Sequence, residues 1–256
     1  MTAGMDLPLF EDDLGSAGVI EPAHVVGPNS TVPERVVLCF FGEIVAETVA
    51  ARARRVATLT SEAGRNPVWE IEFSGHRLAV YQPGVGAPLA AGFLEEVIAM
   101  GGRKFVACGG AGALVPGLDL GHPVVVDGAV RDEGTSHHYA PPARVIDADP
   151  QAVAVLRDTL ARHDVAHTVG RTWTTDALYR ETRTRVERRV AEGCVTVEME
   201  AAALFAVARY RDVTLGQLLI AGDTLAGETW DHRGWMSARD ARERLFWLAV
   251  EAVLAL

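Results

Sequence analysis

The chain has 256 residues, 49% of them hydrophobic and 23% charged, which suits one large soluble domain or two small ones and excludes a disordered or fibrous protein. Lys and Arg number 24 against 34 Asp and Glu, a net charge of −10 that argues against nucleic acid or an anionic membrane surface as partner. No apolar run reaches the roughly 20 residues of a membrane span, the opening residues lack the basic start and apolar stretch of a signal peptide, and Cys39, Cys108 and Cys194 have no CxxC spacing. A cytoplasmic protein with reduced, buried cysteines is expected.

Residues 1–33 are acidic and broken by Pro8, Pro22, Pro28 and Pro33, the pattern of an arm lying over the body or over a neighbour. From residue 34 to 256 the text is that of a single domain. RVVLCFFG (35–42) is a continuous apolar run, a strand buried on both faces, and EIVAETVAARARRV (43–56) has helical spacing. VWEIEFSGHRLAVY alternates apolar and polar residues around Ser74-Gly75, a hairpin that leads into the glycine loop 84–86. A helix over 87–100 closed by Gly101 and Gly102, and a strand over 104–112 running into small residues, follow. Further strands at 122–130, 166–175, 195–198 and 215–225 alternate with helices at 150–163, 180–192, 200–211 and 241–256. The expected fold class is α/β: one domain with a mixed sheet covered by helices.

The glycine pairs Gly84/Gly86 and Gly110/Gly112 lack the third glycine of a dinucleotide fingerprint, and no P-loop or GxSxG elbow occurs. Such loops still bring backbone N–H groups to the ends of parallel strands, where α/β folds hold ligands. Glu198 and Glu200 flank Met199 inside an apolar stretch, and burying them unpaired would cost several kcal/mol. They need donors: arginines of the preceding helix, or a sugar diol whose two hydroxyls one carboxylate can accept while a thioether packs on the sugar face. Asp223 follows the buried run LGQLLIAG at the carboxyl end of a strand, either as a helix cap or as an acid able to protonate a leaving group. His137 and His138 do not make a metal pair, and no metal-ligand cluster is read anywhere.

Together these segments resemble the nucleoside phosphorylase family, which includes purine nucleoside phosphorylases, uridine phosphorylases and methylthioadenosine nucleosidases. The matching text, in family order from about residue 36 to 225, is PGVGAPLAAGFLEEVIAMG, ACGGAGAL, GAVRDEGTSHHYAPP, TTDALYRET, VEMEAAALFAVA and AGD. The resemblance implies a central twisted mixed β-sheet flanked by helices, a homo-oligomer (dimer, trimer or hexamer), and cleavage of the N-glycosidic bond of a nucleoside. It implies catalytic roles for Asp223, as the acid that protonates a purine ring nitrogen, and for Glu200. Met199, Glu200, Glu198 and, in a neighbour's site, His24 would hold the ribose. Leu178 and Tyr179 would pack the base, and Gly109, Gly110 and Glu43 fall at the nucleophile loop. No cofactor is implied beyond inorganic phosphate as co-substrate. The family's cationic turn after the first strand is CFFGEIV here, and its arginine and hydroxyl ligands correspond to Ala107 and Gly110. Either another cation, such as Arg65, Arg131 or an arginine of a neighbouring subunit, holds phosphate, or water is the nucleophile; the activity is that of a pentosyltransferase or an N-glycosidase. The alternative is a nucleoside-binding homologue without turnover.

Overall fold

Ten strands of one sheet carry the chain in the computed structural model, which describes residues 7–11, 13–27 and 30–256, so that Pro28 lies outside the described residues. In chain order they are β1 (Arg35–Cys39), β2 (Arg54–Ser61), β3 (Gly64–Phe73), β4 (His76–Tyr81), β5 (Lys104–Ala113), β6 (Pro123–Asp132), β7 (Val145–Asp147), β8 (Thr168–Thr175), β9 (Cys194–Glu198) and β10 (Thr214–Thr224). The helices are α1 (Pro22–Val25), α2 (Ala87–Ala99), α3 (Pro150–Arg162), α4 (Arg183–Ala191), α5 (Ala201–Tyr210) and α6 (Arg239–Ala255).

The apolar runs of the central strands are explained by helices on both faces. Val36, Leu38, Phe105, Ala107, Leu215 and Leu219 point to one core, shared with α2 and α5. Their neighbours Val37, Cys39, Val106, Cys108, Leu218 and Ile220 point to the other, against α3 and α6. Because side chains alternate along a strand, a strand covered on both sides must be apolar at every position. Each fully buried Val or Leu contributes about 1.5–3 kcal/mol to the stability of the domain.

Strand β5 is the hub that positions the site. One edge pairs in parallel with β10 over its whole length, from Lys104↔Thr214 to Ala113↔Thr224. The other edge is shared: β1 takes residues 104–108 in parallel, and β9 takes only Gly112 and Ala113, antiparallel. Strand β10 then pairs with β6, β6 with β8 and β8 with β9, which closes a ring of strands back onto β5. Between the departing β1 and the arriving β9, residues 109–111 have no ladder partner on that edge. Crevices of this kind, at the carboxyl ends of strands whose neighbours part, are where open α/β sheets take ligands.

The Ser74-Gly75 hairpin has the geometry its sequence requires, with φ of 50° and 76° and Phe73 paired to His76. Two elements differ from the expectation. The helix expected over 43–56 stops at Arg52; it is wound as a wide π turn over Ile44–Val49 and a 3₁₀ turn over Ala50–Arg52. The wide turn sets Ile44, Val45, Thr48 and Val49 inward together. Arg54 then starts β2, which pairs antiparallel with β3 and has a single buried residue, Leu59, so that no two-residue period shows in its sequence. Strand β7, of three residues, is too short for any pattern to reveal.

The described part of the N-terminal segment touches the body. Arg211 donates to Glu21 at 3.1 Å, the N–H of Val32 donates to Met100 at 3.1 Å, and Phe10 meets His137 edge-on at 5.2 Å. Among the described residues no helix is long and apolar enough to cross a membrane, and Cys39, Cys108 and Cys194 are all buried free thiols.

Candidate active site

The turn from β9 into α5 carries the first pair of acids. Running the β5–β9 register on from Gly112↔Val197 sets Glu198 opposite Ala111 and Met199 opposite Gly110, beside the open edge of β5. Glu198 is buried and fully engaged: one carboxylate oxygen accepts from Thr174 Oγ1 at 2.7 Å, the other from the N–H groups of Glu200 at 2.8 Å and Ala201 at 2.7 Å. Thr174 accepts in turn from the N–H of Ala202 at 3.0 Å. Glu198 therefore satisfies the free amides at the start of α5, where a negative charge is also favoured. Burial raises its pKa above the usual carboxylate range, and these donors draw it part of the way back.

Glu200 is the acid with capacity to spare. It accepts from the N–H of Gly86 at 2.5 Å and of Met199 at 3.3 Å, and burial first, then the charge of Glu198, push its carboxyl upward. The bond to Gly86 ties the 84–86 loop to the acid. Gly84 has φ of 80°, and a Cβ there would collide with the Leu89 side chain, so the turn that delivers this amide calls for glycine.

Asp223 lies across β5 from the open edge, on β10, with its side chain reaching to Gly112. Between Ala221↔Ala111 and Thr224↔Ala113 the β10 register gains one residue, a bulge that includes Asp223. No helix begins there, so the capping alternative does not apply. Asp223 Oδ2 accepts from Trp230 Nε1 at 2.6 Å, and Oδ1 lies 3.6 Å from the point where a Gly112 Cβ would stand. Glu181, at the end of the 3₁₀ turn Leu178–Arg180, is the second carboxyl in this corner; burial, then the charge of Asp223, push it up to about 7. Arg183, two residues on, donates to the carbonyls of Leu225 at 2.8 Å and Gly227 at 2.6 Å, which pins the segment carrying Glu181 to the loop after Asp223.

A raised acid binds its proton more tightly folded than unfolded. The Glu181 contribution is therefore complete below pH 4.5 and lost as the pH climbs through about 7. Glu181→Gln removes this loss, so its melting temperature should gain on that of the parent from about pH 4.5 to about pH 8; thermal melts at a series of pH values check it, and a constant difference would refute it.

The loop after β1 holds a cation that its own sequence lacks. Glu43 forms an ion pair with Arg242 of α6 at 2.6 Å, and the guanidinium lies between Phe41, 4.7 Å from the ring centre, and Trp235, at 5.5 Å. Gly109 is buried, with Phe40 crowding the position of a Cβ at 3.1 Å, while Gly110 is exposed on the open edge. Arg131 is spent elsewhere: it donates to Ser136 Oγ at 2.8 Å and to the carbonyls of Pro141 at 2.7 Å and Ala140 at 3.1 Å. Arg65 is exposed in the β2–β3 hairpin.

The fold thus groups Glu198, Met199 and Glu200 with Gly109 and Gly110 along one edge, and sets Asp223 beside Gly112. Leu178 and Tyr179 lie on the 3₁₀ turn before Glu181, 47% and 92% exposed, so in a single chain Tyr179 covers nothing. His24 is exposed on α1, where Nδ1 accepts from the N–H of Glu21 at 3.2 Å; within one chain it does not join the crevice. Sequence reasoning missed Glu181, Trp230 and Arg242. Trp230, seven residues past Asp223, is the one with any local signal; Glu181 and Arg242 reach their partners only through tertiary packing. Among the described residues no group of three or more His, Cys, Asp and Glu side chains is arranged to hold a metal ion.

A family model described as the phosphorylase superfamily matches residues 34–255. A guanosine phosphorylase of Halorubrum lacusprofundi is 30% identical over 217 residues, covering 80% of this chain and 90% of that one. A uridine phosphorylase of Treponema pallidum is 30% identical over 154 residues, 56% of this chain and 60% of its own. Among solved structures, a uridine phosphorylase of Vibrio fischeri superposes with a TM-score of 0.75 at 24% identity, covering 88% of this chain and 93% of that one. A purine nucleoside phosphorylase of Toxoplasma gondii in complex with immucillin-H superposes with a TM-score of 0.72 at 17% identity, covering 93% and 98%. At these identities the structural likenesses establish the fold, a single mixed α/β domain with a helix-flanked central sheet.

Proposed function

From the premise that the chain belongs to the phosphorylase superfamily, we propose that it cleaves the N-glycosidic bond of a purine nucleoside by phosphorolysis, with guanosine as its first candidate substrate. Departure of the base leaves an oxocarbenium-like sugar, so a site for this reaction must hold the hydroxyls, tolerate positive charge at C1′ and protonate the base. Glu200 accepts from the ribose hydroxyls, and its negative charge stabilises the developing cation. Met199 packs on the sugar, and Glu198 fixes the turn that carries both. Asp223 gives its proton to N7 as the C1′–N9 bond breaks, with the bonding pair leaving on the base, and a phosphate oxygen bonds to C1′ to give the ribose 1-phosphate.

The observation that carries the purine reading is the bulge at Asp223, which brings a carboxyl oxygen beside Gly112 of β5, the strand whose other edge faces the Glu198–Met199 turn. A purine offers that acid a basic ring nitrogen, N7, whereas the N3 of a uridine carries a hydrogen and offers none. With Arg131 engaged in its own loop and Ala107 and Gly110 lacking donors, the cations left for phosphate are Arg242, beside Glu43 in the loop after β1, and the exposed Arg65, in this subunit or reaching into a neighbour's site. In such an assembly the exposed His24 is free to meet a neighbour's ribose. Hydrolysis is the second reading, favoured by the same scarcity of side-chain donors at Ala107 and Gly110, with Glu43 as the base for water.

Incubation with a panel of purine and pyrimidine nucleosides, with and without inorganic phosphate, followed by chromatography, tests this reading. Guanine release that requires phosphate and yields ribose 1-phosphate is expected, with uridine at least about tenfold slower. Phosphate-independent release of free ribose would replace phosphorolysis with hydrolysis. No release from any nucleoside would leave a nucleoside-binding protein.

A further inference from the structure

Asp223 has two chemically different oxygens in this structure. Oδ2 accepts the indole N–H of Trp230 at 2.6 Å, whereas Oδ1 lies beside Gly112, where the side chains of Leu225 and Val197 also converge. The indole is held by the backbone: Thr224 and Asp231 exchange N–H···O bonds of 2.9 and 3.1 Å, an isolated antiparallel bridge that returns the loop to the bulge and sets Trp230 against Asp223. Arg183 pins the same loop at Leu225 and Gly227, and His232 closes on the Trp230 ring edge-on at 5.5 Å. An indole N–H donates and never accepts. In a carboxylic acid the carbonyl oxygen is the better acceptor, so a fixed donor at Oδ2 holds the acid's proton on Oδ1.

We propose that Trp230 is a positioning residue for proton transfer: its N–H holds Asp223 with Oδ2 as acceptor, so that the proton rides on Oδ1, the oxygen without the indole, and passes from there to the departing base. As the C1′–N9 bond breaks, the proton moves from Oδ1 to N7, and the aspartate is left as a carboxylate whose Oδ2 still receives the indole N–H. That charge-assisted bond is stronger to the product carboxylate than to the acid, so it favours the transfer as well as the geometry. Water returns the proton before the next turnover. The inference rests on Asp223 as the proton donor to a purine.

The test is Trp230→Phe in the full chain, with kcat and KM measured on guanosine and on 7-methylguanosine in the presence of phosphate. Trp230 is 59% exposed, so the phenyl ring replaces it without opening the core. With guanosine, kcat is expected to fall about ten- to a hundredfold while KM stays within about twofold, the size of one hydrogen bond to a charged group. The base of 7-methylguanosine is already cationic in its imidazole ring and leaves without a proton, so its turnover should equal that of the parent. Trp230→His, which keeps a ring N–H, should recover part of the guanosine rate. Equal losses on both substrates would reduce Trp230 to a structural role, and an unchanged guanosine rate would overturn the proposal outright. A parent protein that cleaves neither nucleoside would overturn the purine reading itself, which separates the two failures.

Discussion

Asp223→Asn is expected to lose about 10²–10⁴-fold in kcat on guanosine while binding the nucleoside within a few-fold of the parent, the range set by loss of a positioned general acid. The substitution keeps the shape of the side chain, and the amide oxygen can still accept from Trp230 Nε1, which now sits 2.6 Å from Oδ2. The amide nitrogen then faces Gly112, where it can donate a hydrogen bond to N7 but cannot give up a proton. Ground-state contacts survive and the transition state does not, so the loss falls on kcat rather than KM. Steady-state rates paired with calorimetric binding decide the matter. Turnover equal to the parent's would remove Asp223 from the chemistry, and a collapse in binding would make it a substrate anchor instead.

Glu200→Ala should cost about 10²–10⁴-fold in kcat/KM, from two hydrogen bonds to a charged acceptor at about 1.5–3 kcal/mol each. The second signature is a loss of discrimination. The parent should prefer guanosine to its 2′-deoxy analogue, and the alanine variant should treat the two almost alike, because the group that distinguished them is gone. Stability should move the other way for the isosteric Glu200→Gln. Burial and the charge of Glu198 raise the Glu200 carboxyl, so the parent loses stability as the pH rises above the ordinary glutamate value and the amide does not. Melting temperatures compared at about pH 5 and about pH 8 should show the Gln variant gaining on the parent, at the expense of activity. A site that trades stability for function is expected to hold unfavourable buried charge of this kind.

How much of this was legible beforehand depends on the range of the interaction concerned. The strands β1, β5 and β10 declare themselves because burial on both faces demands unbroken apolar runs, and the Ser74-Gly75 turn because positive φ at both positions restricts the residues allowed. The pair Glu198 and Glu200 stood out because acids in an apolar stretch require partners. Which partners they take was not legible. Glu198 is met by Thr174 and by the amides at the start of α5, not by the arginines of α4, and Glu200 by the amide of Gly86, 114 residues away. Strand β2 escaped notice because only Leu59 of its eight residues is buried, and a strand at the rim of a sheet has no need of a pattern.

By itself the sequence determined the alternation of strands and helices, the two-faced burial of the sheet, and the residues whose chemistry had to be accommodated: the acids of 198–200, Asp223, and the glycines of 84–86 and 109–112. These follow from rules that act within a few residues, namely the period of a strand, the conformational range of glycine and the cost of burying charge. The tertiary structure alone decided that β1 and β9 part along one edge of β5, that a bulge turns Asp223 toward Gly112, that Trp230 and Glu181 meet Asp223, and that Arg242 meets Glu43. Hydrogen bonds and ion pairs across such separations depend on where packing brings the backbone, and the residues on either side of them carry no trace of the partner.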